Sequence, residues 1–390
     1  MGRLLPCLPA LLALLALLSG CAAPAPSSTP PPDLFLDTAF KPPTEPASAD
    51  ALFDLSPAMQ AHLHSPAFSA LLRTKGQERG LVEALYSKNE LMLDYDASVT
   101  RSAAGTYAAR AGNCLSLVIM TAAFARELGM TVRFQGVDVD ATWTRDGSLY
   151  VASSHVNIAL GHRTANHFSY DESAGRELVV DFLPPPDAAR FHTRTLEEQD
   201  IAALFLNNRA AENLVQGRID DAYWWARAAV HANPASATAW NTLGVIYQRH
   251  GQAAPAERAY RAALEREPDH LAALQNLGPL LAGSGRAEEA QAIARQVARL
   301  QPTPPFHYFN LGMTAMASGD FGKAKTLFER EVERAPYNDE FHFWLALANL
   351  RLGDTAQART QLALAAGTSI RRDRRDAYSA KLAHLRQLRQ

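Results

Sequence analysis

The feature that most constrains this chain is a set of prolines with a fixed spacing in its second half. Proline occurs at positions 234, 268, 302 and 336, so the interval between successive members is constant. A period of this length is typical of a repeated supersecondary unit, and such units stack because one alone cannot bury its apolar face. The spacing predicts a helical array over about residues 203–372, and a length of 390 residues predicts two or three domains in all.

The residues within each period resemble the tetratricopeptide repeat, a pair of antiparallel helices. The unit 237–270 carries the small and aromatic residues of that pattern: Trp240, Leu243, Gly244, Tyr247, Ala256, Tyr260 and Ala263. The resemblance implies five units, at 203–236, 237–270, 271–304, 305–338 and 339–372, and a capping helix at 373–390. It also implies an all-α superhelix whose groove binds a protein or peptide.

Two features of the array have more than one interpretation. The basic, amphipathic tail from Arg371 predicts a polar cap, with a membrane-surface helix as the alternative. Asn208, Asn276 and Asn310 recur at one place in three units. They could bind a ligand backbone as a ladder, but a polar surface position in each repeat is the favoured interpretation.

The N-terminus predicts export. Arg3 precedes a short apolar run that ends in Leu18, Ser19, Gly20 and Cys21. This pattern fits a signal peptide over residues 1–20, since the run is shorter than the roughly 18 residues of a membrane span. Leu-Ser-Gly-Cys resembles the lipobox of bacterial lipoproteins, which implies acylation of Cys21, anchoring through the lipid and an outer-membrane protein facing the periplasm. A plain signal peptide is the alternative.

Residues 21–50 are rich in proline, alanine and serine. Such a composition cannot form a core of its own, so we expect an extended tether between the lipid and the folded part. The net charge of −2 and the lack of a basic stripe give no reason to expect nucleic acid as a partner.

Cysteine usage singles out Cys114. Cys7 lies in the predicted signal and Cys21 is the predicted lipid carrier, so Cys114 is the one free thiol of the mature chain. An unpaired thiol in an oxidising compartment is either buried or used. Cys114 begins an apolar helical pattern that ends near Gly129, and the positive end of a helix favours a thiolate.

The pattern after this helix alternates, which predicts strands at "TVRFQGVDV", "HVNIALG" and "RELVVDF", with a turn at "RDGS". Residues 51–200 are therefore expected to form an α+β domain. Its strands carry few polar residues, notably His155, Asn157 and Asp181.

Over about residues 85–185 these features resemble the bacterial transglutaminase-like superfamily, relatives of papain-like cysteine peptidases. Gly112, Cys114, Leu128 and Gly129 match the family's Gly-x-Cys helix, and His155 and Asp181 follow in the family's order. The resemblance implies a catalytic triad of Cys114, His155 and Asp181. The backbone N–H of Cys114 is the expected oxyanion donor, with Asn113 as a further candidate.

Alternatives to each triad member remain open. Cys114 could be an ordinary buried residue, since free cysteine is among the most buried types. His162 and His167 compete with His155, while Asp171 and Asn166 compete with Asp181. The carboxylates at 138, 140 and 146 lack the spacing of a calcium loop, so neither a metal nor a cofactor is expected.

Three functions follow from these observations. The favoured one is a lipid-anchored enzyme that hydrolyses, or transfers at, an amide or peptide bond through a thioester, with the repeats recruiting its substrate. The others are a non-catalytic envelope scaffold that binds proteins and a cell-wall peptide amidase.

Overall fold

The computed structural model describes residues 30–86, 91, 93–96, 98–146, 149–161, 177–182, 192–369 and 371–387. The signal peptide, Cys21 and the alternative residues at 162, 166, 167 and 171 lie outside these ranges, as do the side chains at 138, 140 and 146. Among the described residues, no helix combines the length and apolarity needed to cross a membrane.

The first folded unit begins with helices and continues with a sheet, in the predicted order. Its helices are α1 (Pro57–Leu63), α2 (Pro66–Lys75), α3 (Gln77–Tyr86), α4 (Ala103–Ala109) and α5 (Cys114–Glu127). Serine side chains cap three of these helices and accept bonds from first-turn N–H groups. Every residue from Leu115 to Ala125 is buried, so α5 is the central helix of this unit.

Two short parallel strands, β1 (Asp94–Tyr95) and β2 (Ala111–Gly112), precede α5. The larger sheet is antiparallel, with the order β5-β4-β3-β6. Its strands are β3 (Thr131–Asp146), β4 (Leu149–Gly161), β5 (Leu178–Val180) and β6 (Thr193–Leu196). The three strands expected from the alternating pattern are therefore present.

The second half is a stack of helix pairs, and the first helix begins at Glu198, before the start of the predicted unit 203–236. The pairs are α6 (Glu198–Val215) and α7 (Ile219–Ala232), α8 (Ala237–Arg249) and α9 (Ala253–Arg266), α10 (Leu271–Gly283) and α11 (Ala287–Leu300), α12 (His307–Ala317) and α13 (Phe321–Arg334), and α14 (Asp339–Arg351) and α15 (Thr355–Thr368). A last helix, α16 (Arg372–Gln387), follows, and Tyr378 stacks on Phe343 of α14 with ring centroids 5.0 Å apart.

A second periodic signal explains how each pair turns. Glycines at 217, 251, 285, 319 and 353, spaced at the same interval as the prolines, all have positive φ, between 75° and 83°. This is the left-handed conformation that commonly ends a helix, and glycine adopts it without steric cost. The first helix of each pair therefore ends at the same place in every unit.

The apolar core is divided within the array. One cluster of buried residues runs from the α+β unit through the repeats as far as Leu281 in α10. A second cluster, which includes Phe306, Phe309 and Phe341, lies in the last two units. Helix α11 between them contains no fully buried residue.

The structure differs from the expectation of an extended tether at residues 30–50. Leu34 and Phe40 are buried and belong to the same core cluster as the first repeats. The composition prevents this stretch from forming a core of its own, but it packs its apolar side chains on a surface that the repeats supply. Only residues 21–29 of the predicted tether lie outside the described chain.

Candidate thiol site

The sheet brings His155 and Asp181 together. Strands β4 and β5 pair with Ile158 opposite Val180. Continuing this antiparallel register by one residue places Asp181 beside Asn157, and His155 lies two residues further along the same face. The ring Nε2 of His155 lies 2.9 Å and 2.8 Å from the two carboxylate oxygens of Asp181. Both side chains are largely buried, with 12% and 15% of their surface exposed.

Cys114 is the first residue of α5 and is partly buried. Asn113 caps this helix, because its side-chain oxygen accepts a bond of 2.9 Å from the N–H of Ser116. The amide nitrogen of Asn113 donates to Thr100 Oγ1 at 2.8 Å. Since both ends of this side chain are engaged, it holds the helix start in place.

The glycine two residues before the cysteine has a steric reason. A Cβ atom on Gly112 would lie 2.7 Å from Cβ of Ser116 in the first turn of α5. Contacts this short are not tolerated, so the chain can enter the helix at this angle only with glycine at 112. The Gly-x-Cys pattern is therefore explained by packing, and it fixes where the thiol lies.

Three hydrogen-bond donors face the Cys114 sulfur. They are the backbone N–H groups of Val156 and Leu115 and the hydroxyl of Tyr95. Because Val156 follows His155, the thiol lies against the strand that carries the imidazole. Nε2 of His155 is occupied by Asp181, so Nδ1 is the ring nitrogen left for a reacting group.

Burial and hydrogen bonding act on the thiol in opposite directions. Burial is the larger effect and raises the pKa of Cys114, whereas the N–H groups of Val156 and Leu115 and the Tyr95 hydroxyl lower it. The helix start does supply an N–H that favours the thiolate, as expected from the sequence. The net effect in the free protein nevertheless favours the thiol.

Tyr95 is a site residue that the sequence did not reveal. It lies on β1, and its pKa is raised, first by burial and then by the charge of Cys114. Its hydroxyl contacts both the backbone N–H and the sulfur of Cys114. The signal for it would have been the pairing of β1 with β2, which places Tyr95 opposite Gly112. Two residues were too few for an alternating pattern.

The expected oxyanion donors differ in their surroundings. The N–H of Cys114 points at the Tyr95 hydroxyl, so it lies at the site itself. The side chain of Asn113 is engaged in capping, and the role of its backbone N–H as an oxyanion donor stays a prediction. Asn157, on the same face as His155, is buried, and its side-chain oxygen has no hydrogen-bond partner among the described residues.

No group of three metal-ligating side chains occurs in the described ranges. Among the asparagines that recur in three units, the side-chain amide of Asn276 donates to Asn241 of the preceding unit at 3.0 Å. Asn276 thus uses part of its hydrogen-bonding capacity within the array.

Comparisons with known proteins concern the second half of the chain. Family models described as tetratricopeptide repeat match residues 237–270 and 309–376. No curated protein sequence matches the chain.

Several solved repeat structures are similar to this chain. TTC0263, a thermophilic TPR protein in Thermus thermophilus, is 21% identical over 47% of this chain and 100% of its own, with a TM-score of 0.30. The Pseudomonas aeruginosa pilF structure is 22% identical over 48% of this chain and 94% of its own, with a TM-score of 0.27. "YrrB: a TPR protein with an unusual peptide-binding site" is 16% identical over 47% and 94%, with a TM-score of 0.26. On the strength of the family models, the second half of this chain contains tetratricopeptide repeats.

Proposed function

We propose that this protein combines a peptide-binding repeat array with a thiol site that acts on amide bonds. Tetratricopeptide repeats are protein-interaction modules, and this part of the function follows from the family that the repeats match. The observation that carries the enzymatic part is the pairing of His155 with Asp181 on the strand that contacts Cys114. A nucleophile, a base and a group that orients the base are the parts that nucleophilic catalysis requires.

The proposed reaction uses only side chains of this site. His155 takes the proton of the Cys114 thiol through Nδ1, and the sulfur attacks the carbonyl carbon of the amide. When the carbon–nitrogen bond breaks, His155 returns that proton to the leaving amine and a thioester remains. Water then attacks the thioester, giving a carboxylic acid and restoring the thiol. Asp181 fixes the ring and stabilises its charged form.

We favour hydrolysis over transfer, because water is always present and nothing in the sequence marks an amine-binding site. The domain that carries the site is proposed to be transglutaminase-like. In support, a helix that begins at the cysteine packs on an antiparallel sheet whose strands supply the histidine and then the aspartate.

A non-catalytic scaffold is the second candidate, and two observations favour it. Burial raises the pKa of Cys114, so the free protein keeps the thiol protonated. The comparisons support only the repeats, which bind partners without chemistry. In this alternative the His155–Asp181 pair stabilises the sheet and nothing more.

The cellular location is also a proposal and rests on the sequence alone. Acylation of Cys21 would anchor the chain stably, since each buried methylene contributes about 0.8 kcal/mol. We propose that the protein faces the periplasm from the outer membrane. Mass spectrometry of the N-terminal peptide from bacterial membranes tests this, and an unacylated peptide would contradict it.

The experiment that separates the two functions is labelling of the folded protein with an electrophilic peptide probe, followed by turnover of labelled envelope peptides. The enzyme proposal expects Cys114→Ala and His155→Ala each to abolish turnover, whereas His192→Ala, at an exposed histidine outside the site, leaves it unchanged. Circular dichroism confirms that each variant is folded.

Wild-type activity retained in Cys114→Ala would refute the enzyme proposal. Labelling of Cys114 only after denaturation would favour the scaffold. Muropeptides used as substrates separate a cell-wall amidase from a protein or peptide hydrolase, because only the former would shorten them. A Cys114→Ser variant incubated with periplasmic extract then serves to retain the substrate.

A further inference from the structure

The N-terminal segment, residues 31–45, lies in a groove on the first two repeats. This aromatic groove is lined by Tyr223 and His231 of α7 and by Trp240, Tyr247 and His250 at α8. We propose that the aromatic groove is a peptide-binding site and that the N-terminal segment is its built-in ligand. The proposal specifies the recruiting role of the repeats and does not depend on the thiol chemistry.

Two aromatic side chains anchor the segment. Phe40 stacks on Tyr223 with ring centroids 3.9 Å apart and planes nearly parallel, and it also contacts His250 at 4.4 Å. Phe35 stacks on His231 at 4.7 Å. Stacked aromatic anchors in pockets are the contacts that dominate binding at interfaces.

Repeat side chains also hold the main chain of the segment, which is a feature of peptide recognition. The Tyr247 hydroxyl donates to the carbonyl of Leu34 at 2.5 Å and accepts from the N–H of Leu36 at 3.3 Å. Trp224 Nε1 donates to the carbonyl of Lys41 at 2.6 Å. Asp221 accepts from the N–H of Thr44 at 2.7 Å. In a sheet, main-chain N–H and C=O groups form hydrogen bonds with the main chain of a neighbouring strand. In this segment, side chains of the repeats form those hydrogen bonds instead.

Ion pairs between the segment and the repeats fix the direction in which the segment runs. Asp33 pairs with Arg258 at 2.8 Å, Asp37 pairs with Arg227 at 2.9 Å, and Glu45 pairs with Arg209 at 2.6 Å. Three arginines on three different helices therefore face three acids of the segment in order along the chain. Such an arrangement sets polarity and register more than it adds affinity, because the acid of each pair is exposed to solvent.

These contacts define the kind of peptide that fits. It folds into two short 3-10 helices, Pro32–Leu34 and Asp37–Ala39, rather than an α-helix. It carries two aromatic side chains five residues apart and has acidic residues before the first aromatic and between the two, as in Asp33-x-Phe35-x-Asp37-x-x-Phe40. A ligand on the same chain has an effective concentration of about millimolar. A free peptide of this pattern therefore cannot enter the aromatic groove while the segment occupies it.

The test uses the full chain and a fluorescent peptide of residues 30–47. Phe35→Ala/Phe40→Ala in the protein removes both anchors of the built-in ligand and leaves the aromatic groove intact. We expect this variant to bind the peptide saturably and wild type to bind it at least tenfold more weakly. A peptide in which both phenylalanines are alanine should not bind.

A matched pair of arginines checks the register. Adding Arg258→Ala to the double variant should weaken binding several-fold, because Arg258 contacts Asp33. Adding Arg261→Ala should not, because Arg261 on the same helix is equally exposed and pairs with Glu257 and Glu289 instead. A folded double variant that does not bind the peptide overturns the proposal, and it leaves open recruitment by another face of the array.

A second protein avoids dependence on the folding of the double variant. A protease recognition sequence inserted after Pro46, an exposed residue, allows the segment to be cut after folding. We expect the cut segment to stay bound and then to exchange with excess labelled peptide. If cutting abolishes the thermal unfolding transition and no peptide is taken up, the segment is an inseparable part of the core and the proposal is wrong.

Discussion

The hydroxyl of Tyr95 offers a direct measurement of how the site controls its thiol. In Tyr95→Phe one of the three donors to the Cys114 sulfur is lost, whereas the N–H groups of Val156 and Leu115 remain. The Tyr95 hydroxyl lowers the pKa of Cys114, so its removal makes ionisation of the thiol less favourable. We expect alkylation of Cys114 to be slower in the variant at every pH where the thiol is mostly protonated.

Two opposing changes set the size of the effect on the alkylation rate: the thiolate becomes less populated, and each thiolate becomes more nucleophilic. A hydrogen bond to a charged group contributes about 1.5–3 kcal/mol, and about 1.4 kcal/mol corresponds to a factor of ten, so the thiolate population falls by about 10–100-fold. Each remaining thiolate is more nucleophilic by about 3–10-fold, given a Brønsted coefficient of about 0.4–0.5. Cys114 is only partly buried, so water replaces part of the lost bond. The fall in thiolate population is therefore at the lower end of its range, about tenfold. The gain in nucleophilicity of about threefold offsets part of this fall, so alkylation should be about threefold slower.

The assay is the rate of iodoacetamide alkylation between pH 6 and 10, followed by intact mass in a Cys7→Ser/Cys21→Ser background. Because burial raises the pKa of Cys114, the wild-type rate should still climb at the upper end of this range. Tyr107→Phe is the matched control, since Tyr107 packs near the other end of α5 against Phe124. A rate that is already constant between pH 6 and 8, or faster alkylation of Tyr95→Phe, would refute the reasoning.

Two predictions concern stability. Gly244→Ala should destabilise the protein by about 1–2 kcal/mol in urea unfolding, because its Cβ would lie 2.5 Å from the buried ring of Tyr260 and overpacking outweighs the gain in helix propensity. Gly278→Ala, whose Cβ would meet only a methyl group of Ile293 at 3.4 Å, should be neutral or stabilising, and equal losses in both variants would contradict this account. Burial raises the pKa of Glu212 in the folded protein. The protonated form therefore contributes stability below the ordinary glutamate pKa of about 4.3, and this contribution is lost as the pH rises through the raised pKa. The melting temperature of Glu212→Gln relative to wild type should therefore increase from pH 4 to pH 7, and a constant difference would show that Glu212 does not titrate there.

The repeats were predictable because their signal is periodic and local. The prolines at 234, 268, 302 and 336 mark the unit length, and the small residues at helix contacts mark its type. Gly244 and Gly312 show the physical reason for that pattern, since a Cβ at either would lie within 2.6 Å of an aromatic ring in the second helix of its unit. Because these contacts form within one unit, the residues that they require are found within each unit of the sequence.

The thiol site was predictable only in part. His155 and Asp181 stand out as polar residues in apolar strands, and the register of β4 and β5 accounts for their meeting. Tyr95 did not stand out, because a two-residue strand has no pattern of its own. The sign of the net shift in the pKa of Cys114 was also out of reach, since it depends on burial by parts of the chain that are distant in sequence.

The N-terminal segment shows why composition alone misled. A stretch rich in proline lacks the apolar area for a core, but this argument concerns only a core that the stretch forms with itself. The partners of residues 33–45 lie 164 to 225 positions away. Many of their contacts are to main-chain groups, which every sequence possesses, so only Phe35 and Phe40 carry a recognisable signal. We expect a groove that holds a backbone with its side chains to accept segments that place two aromatic rings and their neighbouring acids correctly, and the copy on the same chain has the advantage of proximity.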